Sequence, residues 1–378
     1  MKNLFKGIVE NMLSEAGVKT NTSNNPGDIK IYDDSFYKLV LTKGNLGLGE
    51  SYMKNIWDCK EGLDVFYEKI LSAELQNKVR KSNFFKNLFL LLINQQTKSR
   101  ASKSVTKHYD KGDELYKAML DTFMMYSCGY WKNATNLEQA QKNKLELICK
   151  KLNLQPGQKI LDIGCGWGGF AKYAAENYKA SVVGVTLSMN QFIYAKNLCR
   201  DLSVEILLKD YREVEGKFDH IVSIGMFEHV GQRNYQTYFN VANRLLKKYK
   251  DDEVNHLFLL HTIGSNTTEK FTDPWIEKYI FPGSHIPSLL QISKAMEGKF
   301  LVEDLHSFGR YYDKTLMAWQ KNFSIKWGSL SHIYDEEFYR MWNNYLSSCA
   351  AAFRVNYLQL WQFVLSAEGV KGGYKSIR

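Results

Sequence analysis

Residues 159–170 read KILDIGCGWGGF: an apolar run, one acid, and a glycine-rich turn at the start of a helical stretch. Ile160, Leu161 and Ile163 have the composition of a buried parallel strand, while Gly164, Gly166 and Gly169 allow a sharp turn and a close approach of backbone to a ligand. Such a turn is expected to hold a nucleotide-like cofactor. The three glycines satisfy the dinucleotide spacing GxGxxG, but that pattern also requires a carboxylate about 20 residues on, for a ribose hydroxyl. The next expected strand, 181–185, ends instead in Thr186-Leu187-Ser188. A nicotinamide oxidoreductase is disfavoured on that ground. A ligand-free turn is the plain alternative, and the regular alternation on either side weighs against it.

Outward from this turn, strands and helices alternate. Strands are expected at 159–163, 181–185, 204–209, 218–225 and 256–262, with helices at 168–177, 189–198 and 235–246. That order predicts an α/β doubly wound parallel sheet. After Gly264 the pattern changes: 271–290 is aromatic and punctuated by proline, an expected irregular insertion, and 301–308 and 361–366 supply two further strands around long helices. Toward the N-terminus, 29–41 shows strand-like alternation, and 62–76 and 84–93 read as helical. Residues 95–107, QQTKSRASKSVTK, have the composition of a solvated linker. The expected organisation is an accessory domain at 1–94, a linker at 95–107 and a catalytic domain at 108–378.

Apolar residues make up 44% of the 378, enough for a core in each of two domains. The net charge of +10 is compatible with phospholipid heads, nucleic acid or simple solubility, and does not choose among them. Cys59, Cys128, Cys149, Cys165, Cys199 and Cys349 lack metal-ligand spacing, which argues against structural zinc and suits a reducing compartment. The N-terminal MKNLFKGIVENML is amphipathic without a secretory core, and the longest apolar run, 84–93, is interrupted by Lys86 and Asn87 and is too short to span a bilayer.

In an open parallel sheet the ligand crevice lies beyond the carboxyl ends of the strands. Asp162 and Cys165, Thr186, Asp210 and Tyr211, Glu228 and His229, and His261 and Thr262 all fall at such ends. Each has a bland reading, Glu228 as a helix cap or His261 as a core hydrogen-bonding group, but five strand ends together favour a site.

The acid followed by Gly-Cys-Gly and Trp-Gly-Gly resembles the first motif of the class I methyltransferases, a Rossmann-like fold that binds S-adenosylmethionine. YSCGYW (126–131), DYRE (210–213), IVSIGMFEHVG (221–231), LLHTIG (259–264), DPWIEKYIFPG (273–283) and YYDKTLMAW (311–319) resemble the cyclopropane fatty acid synthases, and GNLGLGESYM (44–53) resembles the accessory domain of their two-domain bacterial members. The likeness covers about the whole chain. It implies that Tyr126, Ser127, Gly164, Gly166, Thr186, Gln191 and Tyr211 contact the cofactor, together with the strand-end acid Asp162. It implies that Cys128, Glu228, His261, Ile263 and Tyr312 surround a bound bicarbonate. Tyr311 is the neighbour that competes with Tyr312 for that role. The longer, charged loop at 247–256, KKYKDDEVNH, departs from the family's short Pro-Gly turn, away from the expected crevice.

The resemblance implies methylation of the cis double bond of an unsaturated phospholipid acyl chain with closure of a cyclopropane ring, bicarbonate serving as base. The nearest alternative is a lipid C-methyltransferase that leaves an unclosed methyl branch. A nonenzymatic lipid-binding module is a further one, opposed by the presence of Glu228, His261 and Tyr312. A weakly nucleophilic alkene and a cationic product call for a dry, aromatic pocket, for which Phe271, Trp275, Tyr279, Phe281 and Trp319 are available. Exposing half an acyl chain at ~0.8 kcal/mol per methylene would cost several kcal/mol, so the enzyme is expected to dock on the bilayer. The amphipathic N-terminus and 84–93, flanked by Lys78, Arg80, Lys81 and Lys86, are candidate docking surfaces. The expected partner is phospholipid in a bilayer rather than nucleic acid, with a homodimer left open. The expected location is cytoplasmic, peripheral on the inner face of the membrane.

Overall fold

The structure is a computed structural model that describes residues 2–22, 24–73, 112–248, 254–269 and 272–378. The expected helix at 84–93, the linker at 95–107 and residues 249–253 of the charged loop lie outside the described residues. Along the chain the elements are α1 (Lys2–Glu15), β1 (Lys30–Ile31), α2 (Ser35–Lys43), α3 (Asn45–Met53), β2 (Trp57–Asp58), α4 (Leu63–Ser72), α5 (Asp113–Met119) and α6 (Leu137–Lys151). There follow β3 (Lys159–Ile163), α7 (Gly169–Tyr178), β4 (Ser181–Thr186), α8 (Met189–Leu198), β5 (Val204–Leu208), β6 (His220–Ile224), α9 (Tyr235–Leu245) and β7 (Leu257–Ser265). The last are α10 (Pro274–Tyr279), α11 (Leu289–Met296), β8 (Leu301–Ser307), α12 (Arg310–Leu330), α13 (Glu336–Arg354) and β9 (Leu358–Ser366).

Contacts divide the chain into two compact units, one of Met1–Ile93, Lys270–Pro282 and Tyr312–Leu358, the other of Asn94–Glu269, Gly283–Tyr311 and Gln359–Arg378. This differs from one cut near residue 100, and the first unit gives the physical reason. Its N-terminal helices surround Phe36, Trp57 and Phe66, and Ala351 of α13 belongs to the same core. Arg340 donates to the Tyr52 carbonyl (2.6 Å) and to Asp58 (3.1 Å), while Arg354 pairs with Asp64 (2.7 Å), Glu68 (2.8 Å) and Asp313 (2.9 Å). So small a segment buries too little surface alone, and α12 and α13 enlarge its core. The strand-like reading of 29–41 is corrected here. β1 pairs with β2 and Ile29 bridges Thr20, and from Ser35 the chain is helical. Asp33 Oδ1 accepts the Ser35 N–H (2.7 Å), and Phe36, Tyr37, Val40 and Leu41 recur at helical spacing toward the core.

The second unit is built on a seven-stranded sheet of order β5-β4-β3-β6-β7-β9-β8. β5, β4, β3, β6 and β7 run parallel, and β8 and β9 pair antiparallel. This is a doubly wound α/β fold, as expected from the alternation. Period-two patterning sends Leu161, Ile163, Phe258 and Leu260 into one layer of core, and Ile160, Leu257 and Leu259 into the other. Each such side chain contributes about 1.5–3 kcal/mol by burial, enough to fix the strand register. The insertion expected at 271–290 contains one short helix, α10, before α11 begins. Strand order reverses between β3 and β6, so the crevice of an open sheet falls at their carboxyl ends.

Candidate active site

The turn after β3 is held to its neighbour strand by two bonds, from the Gly164 and Cys165 N–H groups to the Val185 carbonyl, each 3.0 Å. Gly166 has φ +54°, and a Cβ there would meet nothing within 4 Å, because the residue faces a pocket. Gly169 serves packing instead. A Cβ there would stand 2.0 Å from the Phe123 carbonyl, so its hydrogen lets α7 start close against the 121–125 segment.

All eight residues expected at the cofactor line this one pocket: Tyr126, Ser127, Asp162, Gly164, Gly166, Thr186, Gln191 and Tyr211. Thr186 Oγ1 donates to Gln191 Oε1 (2.8 Å), and the Gln191 N–H caps on Ser188 Oγ (3.3 Å), which fixes the Gln191 side chain at the end of β4. Asp210 is held by Arg212 through its Nε (2.8 Å) and backbone N–H (2.9 Å). Asp162 is buried, its Oδ2 has no partner, and burial pushes its carboxyl up to about 7. An orphaned acceptor beside an open glycine cradle fits a ligand bearing hydroxyl or ammonium donors, as S-adenosylmethionine does. Met124, Met125, Trp167, Met226 and His229 also line the pocket, and the sequence does not assign them to the cofactor. Trp167 and Met226 stand inside the quoted motifs, where their type signals only core.

Four of the five residues expected around an anion belong to the same unit: Glu228 after β6, His261 and Ile263 on β7, and Cys128 in the loop between α5 and α6. Glu228 follows β6, and its Oε1 accepts the Ile263 N–H from β7 across 2.7 Å. Its Oε2 is buried without a hydrogen-bond partner. Burial pushes this carboxyl up to about 7, against the Ile263 N–H, its own backbone and the Thr262 hydroxyl. His261 lies two residues before Ile263, hence on the same face of β7. Burial holds its pKa well below the ordinary value, and the charges of Lys144 and Lys151 and the His306 ring push the same way. Gln362 Nε2 lies 3.1 Å from His261 Nδ1. With that amide donating, the neutral ring carries its proton on Nε2, which is buried with no acceptor. Cys128 is buried, and its thiol donates to the Gly129 carbonyl (3.3 Å). One orphaned donor and one carboxyl oxygen able to carry a proton fit a small oxyanion.

Tyr312 belongs to the other unit, where its ring stacks on Phe353 at 4.4 Å and meets Trp319 edge-on. Tyr311 falls with the sheet unit, edge-on to Tyr130 at 5.6 Å. Trp275, Tyr279, Phe281 and Trp319 fall in the first unit, and Phe271 is outside the described residues.

Residues 96–363 match the mycolic acid cyclopropane synthetase family. The chain belongs to this family. The enzyme is therefore an S-adenosylmethionine-dependent methyltransferase of class I fold. It is 49% identical over 375 residues to the cyclopropane-fatty-acyl-phospholipid synthase of Escherichia coli, covering 98% of this chain and 95% of that protein. It is 35% identical over 279 residues to cyclopropane mycolic acid synthase 1 of Mycobacterium tuberculosis, covering 69% of this chain and 95% of the relative. Among solved structures, mycolic acid cyclopropane synthase CmaA1 complexed with SAH and CTAB is 33% identical with a TM-score of 0.65, over 70% of this chain and 98% of that one. The cyclopropane synthase MmaA2 from Mycobacterium tuberculosis is 31% identical with a TM-score of 0.65, over 70% and 98%. The segment before residue 96 is thus outside the family match, while the Escherichia coli relative aligns over nearly the whole chain. Among the described residues no helix is long and apolar enough to cross a membrane.

Proposed function

We propose that the enzyme transfers a methylene group from S-adenosylmethionine to the cis double bond of an unsaturated phospholipid acyl chain, closing a cyclopropane ring, with bicarbonate as the base. The observation that carries the reading is that two buried atoms, Glu228 Oε2 just after β6 and His261 Nε2 on β7, have no hydrogen-bond partner among the described residues, and that Glu228 directly precedes His229 of the pocket wall. The name of the Escherichia coli relative supports the substrate class.

S-adenosylmethionine, when bound, supplies an electrophilic methyl group on a sulfonium. Tyr126, Ser127, Asp162, Gly164, Gly166, Thr186, Gln191 and Tyr211 would hold it, Asp162 Oδ2 as acceptor and Gly166 by leaving the cradle open. Bicarbonate, when bound, supplies a base that is anionic beside a cationic chain. His261 Nε2–H would donate to it, protonated Glu228 Oε2 would donate a second bond, and Cys128 and Ile263 would complete its surroundings within the sheet unit. The alkene would attack the methyl carbon as its bond to sulfur breaks, S-adenosylhomocysteine leaving with that electron pair and positive charge remaining on the acyl chain. A proton would then pass from the transferred methyl to the bicarbonate base, and its C–H electron pair would close the ring. Buried Glu228 and His261 keep water from that cation. Cys128 acts as a neutral thiol or through its backbone, since a thiolate would trap the cation.

Acyl chains are delivered from a membrane. The basic excess of +10 favours docking on anionic lipid at the cytoplasmic face, with the first unit as the docking element. The test is incubation with methyl-labelled S-adenosylmethionine and vesicles of unsaturated phospholipid, followed by acyl-chain analysis. A labelled cyclopropane ring is expected. A labelled methyl branch with the double bond retained overturns ring closure, and no label in lipid overturns the substrate class.

A further inference from the structure

Helix α6 turns Gln141 and Lys144 into the interior, both fully buried. They are three residues apart and so share a face. Gln141 Nε2 donates to the Ser127 carbonyl (2.8 Å) and the Met125 carbonyl (3.3 Å). Lys144 Nζ donates to Ser127 Oγ (2.8 Å). The helix thereby grips the segment that forms one wall of the cofactor pocket and leads directly into Cys128.

An ammonium has three protons to give, and this one has a single acceptor at hydrogen-bond distance among the described residues. Asp121 is the carboxylate that favours its charge, but the Asp121 oxygens are engaged by the N–H groups of Phe123 (2.8 Å) and Met125 (3.1 Å). Burial draws the Lys144 ammonium down to about 8, with Asp121 and the Cys128 thiol opposing the fall. The same charge reaches His261 and helps keep that ring neutral. A buried cation bonded to Ser127 and acting on Cys128 and His261 is incompletely compensated by the described residues. An isolated buried charge is costly unless something answers it.

We propose that Lys144 is a positioning residue for the anion site: its ammonium fixes the Ser127 hydroxyl at the cofactor wall and makes the space at Cys128 and His261 electropositive, so that an oxyanion binds there. The proposal rests on the bicarbonate reading above and names the countercharge that Glu228 and His261 do not supply. A lysine kept for packing alone would behave differently: an apolar side chain of like volume in its place would leave the affinity for an anion unchanged.

The test uses the full chain with ¹³C-bicarbonate as the probe, titrated by NMR without lipid or cofactor, beside turnover at graded bicarbonate. For Lys144→Met the expected result is an affinity for bicarbonate weakened about tenfold or more, since a full charge at close range is lost in a poorly screened interior. Half-saturating bicarbonate in turnover rises in parallel, and kcat at saturating bicarbonate changes far less. Lys144→Arg, which keeps the charge, restores the parent's bicarbonate affinity. If the methionine variant does not fold, Lys144→Gln against Lys144→Arg makes the same comparison. A neutral variant that binds bicarbonate as the parent does overturns the role of Lys144 alone. A parent chain that neither binds ¹³C-bicarbonate nor needs it for turnover overturns the base reading, and this proposal with it.

Discussion

The Ile263 N–H donates to Glu228 Oε1 across 2.7 Å, and this bond decides which carboxylate oxygen is left facing the interior. Oε1 is committed to the backbone of β7, so Oε2 alone is available to a ligand, and β7 places His261 on the same face two residues away. Glu228→Gln keeps an acceptor for Ile263 but puts a fixed NH2 where a titrating oxygen stood. Binding and catalysis are expected to separate: affinity for S-adenosylhomocysteine unchanged by calorimetry, turnover down about 10²–10⁴-fold. His261→Gln behaves alike. The losses in the double mutant are less than additive, because one missing anchor already misplaces a shared anion. Fully additive losses would exclude a common ligand.

Asp162 and Glu228 are both pushed up to about 7 by burial, and that makes the ligand-free protein sensitive to alkali. For Asp162 the unfolded chain titrates near 3.9, so between that pH and about 7 the folded state binds the extra proton. Stability therefore falls as pH rises through this window, and the full penalty is present above it. Asp162→Asn removes the penalty. Its melting temperature is expected to match the parent's near pH 4 and exceed it increasingly toward pH 8, with an upper bound on the order of 4 kcal/mol at 1.36 kcal/mol per unit. A difference independent of pH would show that Asp162 is charged in the folded state.

The two glycines that begin and end the turn are separable by experiment. Gly166→Ala introduces a methyl group into open pocket at φ +54°, so the fold loses only about 1–2 kcal/mol of backbone strain while the ligand meets the new carbon. Gly169→Ala drives a carbon to 2.0 Å from the Phe123 carbonyl, and the α7 start must move. Calorimetry with S-adenosylhomocysteine and thermal melts are expected to give opposite orders. Gly166→Ala costs affinity with a modest change in melting temperature. Gly169→Ala lowers the melting temperature first.

The parallel sheet and the wall of the candidate pocket are legible because both are written locally. Strand 159–163 and helix 189–198 have the predicted bounds, and every residue assigned to the cofactor lies at a strand end or inside a short motif. What escaped is non-local. Lys144 sits in KNKLELICKK, where a lysine bound for the interior has the same neighbours as a solvated one. Gln362, which orients His261, is separated from it by a hundred residues and joins it only through β9. Nor does any local pattern announce that α13 returns to the core of Trp57 and Phe66, since that depends on Arg340 and Arg354 finding partners in the first 70 residues. The stretch 35–43 reads as strand because Tyr37, Leu39 and Leu41 alternate, whereas Phe36, Tyr37, Val40 and Leu41 follow the helical spacing that the Asp33 turn starts.

Docking on a bilayer is the step that the net charge of +10 makes testable. Each basic residue brought to an anionic surface contributes about 1 kcal/mol, and salt screens that attraction over about 8 Å at physiological ionic strength. Binding to vesicles that contain anionic phospholipid is therefore expected to be tighter than to neutral vesicles and to weaken steeply with added salt in co-sedimentation. Turnover on the same vesicles should follow, whereas affinity for S-adenosylhomocysteine in solution should not, because Asp162, Gly166 and Gln191 lie in a pocket where ionic strength acts weakly. The split between the two readouts distinguishes surface docking from a general effect of salt on the fold. Equal binding to neutral and anionic vesicles at every salt concentration would assign membrane attachment to apolar contact instead, since burial of apolar surface is not screened.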